Sequence, residues 1–305
     1  MLKARNLNII AILMFFVGLS MIPSALWSLF ESSSYSYLDR DFYDFIAILK
    51  SAFIPIFFGI LFYLITNYKL KGKKNDLRAK DGFVIVTLGW VVIALFGALP
   101  FYFSITPLSF TDAFFESMSG LTTTGASVLG DSSTYQIEEL SKGILFWRSF
   151  THFIGGMGII VFSIAILPVL GIGGVQLFRA EVAGPVAEKI TPRIKQTAKL
   201  LWGIYVGFVL LQTLILKFEG MSWFDALCHA FGTMATGGFS TKNASIAAFD
   251  SSIIEVTIII FMFIAATSFS LHYLFLAKRK FDYFKDEEFK IYFFIICLIS
   301  IILFL

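Results

Sequence analysis

Long apolar runs alternate with short polar stretches along this chain. The runs occupy residues 9–30, 45–68, 83–103, 143–170, 200–218 and 253–276. Each approaches or exceeds the ~20 residues a helix needs to cross about 30 Å of hydrocarbon. Backbone groups in lipid must bond within their own segment, so helix is the predicted form. The alternation of apolar and polar positions that a barrel strand needs is not visible. A last apolar run, 291–305, is short for a full span and ends on Leu305 without a basic stop. The pattern therefore predicts an all-α polytopic membrane protein with six spans.

The first run follows Lys3 and Arg5 and has the flank of a signal peptide. It is long for such a segment and no A-x-A-like site follows, which predicts an uncleaved first helix. Composition agrees with the pattern: 57% of the 305 residues are hydrophobic and 15% charged, which excludes a disordered chain and argues against an ordinary soluble globule. Cys228 and Cys297 form neither a disulfide framework nor a zinc pattern.

The net charge of +3 matters less than where the charges fall. Beyond Lys3 and Arg5, basic residues cluster in 69–80 (six), 179–199 (five) and 278–290 (five). The connections between carry mainly acids, among them Asp41, Asp44, Asp112, Glu116, Glu138, Glu219 and Asp225. With the basic sides cytoplasmic, six helices alternate without conflict and the N-terminus lies inside. These charges flank spans and no aromatic-basic platform accompanies them, so nucleic acid is not an expected partner.

The stretch FESMSGLTTTGASVLGDSS, 114–132, is too polar to span a bilayer and too poorly charged for a solvated loop. A shift of 113 residues lays SFTDAFFESMSGLTTTGAS (109–127) on SWFDALCHAFGTMATGGFS (222–240). Ser109 then meets Ser222, Asp112 meets Asp225, Thr123 meets Thr236, Gly125 meets Gly238 and Ser127 meets Ser240. Each copy stands between two apolar runs, so the repeated unit is helix, short segment, helix. Such duplication is common in channels and transporters.

From Asp112 to Gly125 is 13 residues, too few to cross and return as helix. A short helix entering the membrane and an extended return fit the length, provided the return lines an aqueous cavity. Asp112 and Asp225 suit the N-terminal caps of these helices, whose negative ends then point inward toward a cation. A dehydrated cation needs oxygens in place of its water, and stacked carbonyls supply them in potassium channels. Aiming successive carbonyls to one side needs unusual dihedrals, which glycine permits. The predicted ion-binding strings are Thr122, Thr123, Thr124, Gly125 and Ala126, and Ala235, Thr236, Gly237, Gly238 and Phe239. Potassium itself is expected at Thr123, Thr124, Thr236 and Gly237.

At this point the chain resembles the Trk/Ktr/HKT superfamily of potassium-uptake proteins, in particular bacterial Trk-type membrane subunits. The strings that carry the resemblance are DAFFESMSGLTTTGAS, WRSFTHFIGGMGIIVFSIAILP, FRAEVAGP, TPRIKQTAKLLW and HAFGTMATGGFSTKNASI. The resemblance implies helix–pore loop–helix units of the potassium-channel type around one pore, preceded by an extra N-terminal helix pair. It assigns 1–80 to that pair and a basic cytoplasmic loop, 81–178 to a first unit, 179–199 to a linker and 200–285 to a second unit. Gly125 and Gly238 would mark the filters, and glycine rather than serine at Gly125 favours potassium over sodium.

The resemblance also implies a homodimer of the full-length form, a cytosolic nucleotide-binding gating subunit, and contact with membrane lipid. It implies no cofactor beyond the transported potassium ion. Family members carry four units, and a third copy at the same spacing would lie past Leu305. The expectation is a subunit truncated after two of four units, with 286–305 the start of a third. A non-conducting fragment and a half-pore completed by a second copy remain alternatives.

Ser119-Gly120 with His152 allows one reading of another class, an intramembrane serine hydrolase. The repeat argues against it, because Phe231-Gly232 occupies the equivalent place. His152, His229 and His272 are expected as packed or hydrogen-bonded side chains rather than metal ligands. Arg148 is expected to snorkel to the interface, with a role in pore electrostatics as the less favoured reading. Gly155, Gly156 and Gly158 are expected to pack helices closely beside the filter.

Overall fold

The computed structural model describes residues 4–33, 35–36, 38–70, 79–130, 136–170 and 194–304. The main elements are α1 (Ala4–Ser20), α2 (Ile22–Glu31), α3 (Arg40–Leu70), α4 (Ala79–Gly97), α5 (Leu99–Phe103) and α6 (Phe110–Leu121). They continue with α7 (Lys142–Leu170), α8 (Ile194–Phe218), α9 (Trp223–Met234), α10 (Ser252–Ala266), α11 (Phe269–Lys278) and α12 (Glu287–Phe304). No strand occurs among the described residues. Residues 71–78 of the basic loop, the glycines of 171–174 and the linker residues 179–193 lie outside the described residues.

Among the described residues, four stretches are long and apolar enough to cross a membrane: Ala4–Glu31, Arg40–Leu70, Asp81–Phe103 and Lys199–Phe218. The first and third are each two helices in series. Their joints lie at Met21 and Ala98, just ahead of Pro23 and Pro100, whose rings remove an amide donor from the helical ladder. Trp147 Nε1 donates to Gly97 O beside the second joint, at 2.9 Å.

The sixth apolar run is not the single continuous helix that its length predicts. It forms α10 and α11, bent by 98° at Thr267-Ser268. Thr267 is extended, and the break frees carbonyls at the end of α10. Ile264 O is then taken by the Thr267 amide at 3.1 Å and shares 2.9 Å with His272 Nε2. The last run also differs from expectation. α12 starts earlier, at Glu287, and Asp286 Oδ1 accepts from Phe289 N at 2.8 Å in its first turn.

The first helix pair packs backbone to backbone. A β-carbon on Gly18 would lie 2.6 Å from Ala52 O, and one on Gly59 would lie 2.8 Å from Ala11 O. Small residues allow that approach where lipid supplies no hydrophobic drive between helices. Two acids of the polar connections join this pair to the rest. Asp41 Oδ1 accepts from the Lys142 amide at 3.0 Å, at the start of α7. Buried Asp44 accepts from Ile105 N at 2.7 Å and Ser104 Oγ at 3.2 Å.

The central core forms around α7. Phe146, Phe150 and Phe153 stack successively and all meet Phe231 of α9. Trp147 and Tyr205 are among the largest fully buried side chains. α7 thereby sits between the two short helices α6 and α9 and sets their relation to each other.

Candidate functional site

Both short helices begin on a serine. Ser109 Oγ accepts from Asp112 N at 3.2 Å, and Ser222 Oγ accepts from Asp225 N at 3.0 Å. Each hydroxyl in turn donates to the carboxylate it faces, at 2.7 and 2.6 Å. The expected caps, Asp112 and Asp225, are thus corrected: the serines three residues earlier are the caps. The acids stand in the first turn, where their charge meets the positive end of the helix. Asp225 also accepts from Thr241 Oγ1 at 2.6 Å, which ties the end of the second return to the start of its helix.

The other ends carry the main finding. After α6, Thr123 N donates to Gly120 O at 3.1 Å and Thr124 N to Ser119 O at 2.9 Å. After α9, Thr236 N donates to Thr233 O at 2.9 Å and Gly237 N to Gly232 O at 2.9 Å. These are two copies of the Schellman helix stop, 113 residues apart, whose first residue past the cap takes a left-handed conformation. Glycine usually fills that place. Here it is Thr123 (φ 55°) and Thr236 (φ 56°).

Two residues on, Gly125 and Gly238 are left-handed again, at φ 74° and 84°. Left-handed residues therefore alternate with Thr124 in the first return segment and Gly237 in the second. Such alternation turns successive carbonyls toward one side, where an extended strand would point them to both. Sequence reasoning assigned this freedom to the glycines and missed the threonines. The signal it lacked is the helix stop, which dictates the threonine torsion from the hydrogen bonds behind it.

The two return segments touch. A β-carbon on Gly125 would lie 1.8 Å from Gly237 O. The same construction at Gly238 meets nothing within 4 Å, and at Gly237 it meets the His152 ring at 2.5 Å. The structure thus brings Gly125 and Gly237 together. Thr122, Thr124, Thr236 and Gly238 are exposed beside them, and Ala235 is buried. Thr122 and Thr124 share a hydroxyl contact of 2.8 Å.

Ala126 and Phe239 end the strings differently from their neighbours. Ala126 O accepts from Ser119 Oγ at 2.5 Å, so this carbonyl faces back to α6. Phe239 is buried, with its ring stacked on His152 at 4.1 Å. Ser119 and His152 do not form a dyad. The serine is committed to Ala126, and neither imidazole nitrogen has a hydrogen-bond partner among the described residues. His229 and His272 are hydrogen-bonded, and no group of three or more metal-ligating side chains occurs among the described residues.

Behind each segment a side chain of the short helix holds the following serine. Glu116 accepts from Ser127 Oγ at 2.9 Å, and His229 Nε2 lies 3.0 Å from Ser240 Oγ. Glu116 and His229 are equivalent under the 113-residue shift. Arg148 joins this shell; at 2% exposure it is buried and does not snorkel to an interface. Its salt bridge to Glu116 holds it in place, at 2.6 Å.

The glycines of α7 do lie against the return segments. A β-carbon on Gly155 would meet Leu121 O at 2.1 Å, and one on Gly156 would meet Ala235 Cα at 3.1 Å. Among the described residues, a β-carbon on Gly158 would meet Trp90 alone, at 3.9 Å. At the far side, Asn243 spans to the first unit, its Oδ1 accepting from Ile137 N at 3.2 Å and its backbone N–H donating to Glu138 Oε1 at 2.8 Å.

Comparison with known proteins gives this geometry a context. The Trk system potassium uptake protein TrkH of Vibrio parahaemolyticus is 46% identical over 259 residues, 83% of this chain and 52% of that protein. The Escherichia coli K12 protein of the same name is 49% identical over 223 residues, 72% of this chain and 45% of its own length. The chain spans about half the length of these relatives. The crystal structure of the potassium transporter TrkH from Vibrio parahaemolyticus superposes with a TM-score of 0.79 at 36% identity, covering 98% of this chain and 58% of that one. A family model described as TrkH, cation transport protein, matches residues 48–304, and with helices, duplicated stops and relatives in agreement the chain belongs to the TrkH family.

Proposed function

We propose that the chain supplies two filter segments of a potassium-uptake pathway in a bacterial inner membrane. The observation that carries this reading is the paired torsional alternation, Thr123 and Gly125 in one segment and Thr236 and Gly238 in the other. Carbonyls turned to one side offer a stripped monovalent cation a substitute for its water. The segments touch at Gly125 and Gly237, as neighbours around a common axis would. Thr123, Thr124, Thr236 and Gly237 are the proposed potassium ligands, and the short helices aim their negative ends at the ion. The names of the relatives, Trk system potassium uptake proteins, support potassium as the cargo.

The proposed boundaries are a helix pair (1–80), a first unit (81–178), a linker (179–199), a second unit (200–285) and the start of a third (286–305). The clustering of basic residues supports a cytoplasmic N-terminus. It also supports a docking side for a cytosolic nucleotide-binding gating subunit, and the family resemblance supports a homodimer of the full-length form. In this reading two segments are part of a four-segment ring.

The test is growth of an uptake-deficient bacterium on limiting potassium. It is carried out with this chain alone and with the chain joined to the remaining C-terminal half of the Vibrio relative. Rescue by the joined form alone is the expected result. Rescue by the short chain would instead favour a half-pore closed by a second copy. If both forms reach the membrane and neither rescues, the uptake reading is overturned.

A further inference from the structure

We propose that Arg148 is a positioning residue: it fixes the spacing of the two return segments and thereby the discrimination among monovalent cations. The inference rests on the filter reading above. The guanidinium uses three directions of its donor fork on three different elements. Nε donates to Glu116 of α6 at 2.6 Å, Nη2 to Ser127 Oγ of the first return at 3.0 Å, and Nη1 to Ser240 O of the second return at 2.8 Å. Its Cζ lies 3.7 Å from the centre of the Phe239 ring, the residue next to Gly238. Glu116 closes the ring of contacts, accepting from Ser127 Oγ and from Val128 N at 3.1 Å. A planar, five-donor group can meet acceptors in fixed directions in this way, and an ammonium cannot.

The repeat shows what the arginine adds. In the second unit the hydroxyl of the serine after the segment is held by His229, where in the first unit both Glu116 and Arg148 hold it. The connection to the following helix is three residues shorter there, so Phe153-Ile154-Gly155-Gly156 falls on Phe263-Ile264-Ala265-Ala266 and the residue equivalent to Arg148 is Ile258, buried and apolar. A unit of this fold therefore builds its own serine brace without a buried charge. Removing a charge from water is costly, and an apolar pair of similar volume is often as stable. What no apolar pair supplies is the bond from α7 across to Ser240 O. That bond couples one segment to the other. Pairing with Glu116 leaves the strut with no net charge, so it does not repel a cation a few residues away.

The test uses the form of the chain that rescues growth, with uptake of potassium and sodium measured side by side. Arg148→Lys keeps the charge and loses the fork. The double variant E116L/R148M removes both charges and keeps the volume. Each is expected to reach the membrane and to lower the potassium-to-sodium uptake ratio about tenfold, as the loss of a charge-assisted bond implies. The potassium concentration for half-maximal uptake is expected to rise more than maximal uptake falls. A wild-type ratio in either variant at wild-type membrane levels overturns the proposal.

Should neither variant accumulate, Ser127→Ala carries the test, because it removes one acceptor and leaves the ion pair. A ratio lowered severalfold supports the strut, and an unchanged ratio overturns it. Gly125→Ser separates the two layers of inference. If it alters the ratio while the arginine variants do not, the strut fails and the filter stands. If none alters it, both fail.

Discussion

The carbonyl oxygen of Gly237 occupies the space a β-carbon on Gly125 would need, 1.8 Å from where that atom would be. Two residues more than a hundred positions apart thus exclude any side chain from one of them. Gly125 is also left-handed, so both torsion and space require glycine there. Gly125→Ser must displace the carbonyl of the other segment as well as strain its own backbone, at about 1–3 kcal/mol for the torsion. The expected outcome is a lower thermal midpoint and weaker discrimination of potassium from sodium, read by unfolding in detergent and by paired ion uptake.

Gly237 meets the same problem from another direction. Its β-carbon would fall 2.5 Å from the His152 ring, which also stacks on Phe239. Gly237→Ala is expected to reduce uptake, and His152→Ala in the same chain to recover part of the loss. The coupling between the two changes should be about 1 kcal/mol or more, since the residues are in contact. Strict additivity in uptake and in thermal unfolding would contradict the packing described here.

Thr123 and Thr236 hold left-handed torsions that glycine would take without strain. Thr123→Gly and Thr236→Gly each relieve that cost and pay back part of it in unfolded-chain entropy. A net gain of up to about 1 kcal/mol is expected. If the threonine hydroxyls and torsions serve the ion, selectivity falls as stability rises. A variant that loses stability would show that the helix stop is not strained.

His272 takes a carbonyl that the sharp bend between α10 and α11 frees. His272→Ala leaves Ile264 O with the Thr267 amide alone, at a cost of about 1 kcal/mol. Faster amide exchange at Thr267 and its neighbours, with no change around Gly125, is the expected signature.

The helices and the duplication were legible because both are written in spacing: apolar runs long enough to span, and Ser, Asp, Thr and Gly recurring at one shift. The candidate segments were legible for the same reason. The caps were misassigned by three residues, because serine and aspartate both suit a helix start and only the hydrogen bond at Asp112 N distinguishes them. The bend at Thr267-Ser268 stayed hidden because neither residue breaks the apolar run enough to register, and the partner that stabilises it, His272, is five residues away. Arg148 was misjudged because position along a helix does not reveal burial. Its acceptors lie 32, 21 and 92 residues off in the chain.

The two helix stops keep the same signs of φ although their side chains have drifted, Thr-Thr-Gly in one and Thr-Gly-Gly in the other. Heredity has here preserved a shape of the main chain more faithfully than the letters that spell it. A chimera carrying residues 119–126 in place of 232–239 should accordingly keep its signs of φ, and the burden of adjustment would fall on two places: Gly232, whose new side chain meets the carbonyl of residue 239 at 2.9 Å, and Gly237, whose new side chain meets the His152 ring at 2.5 Å.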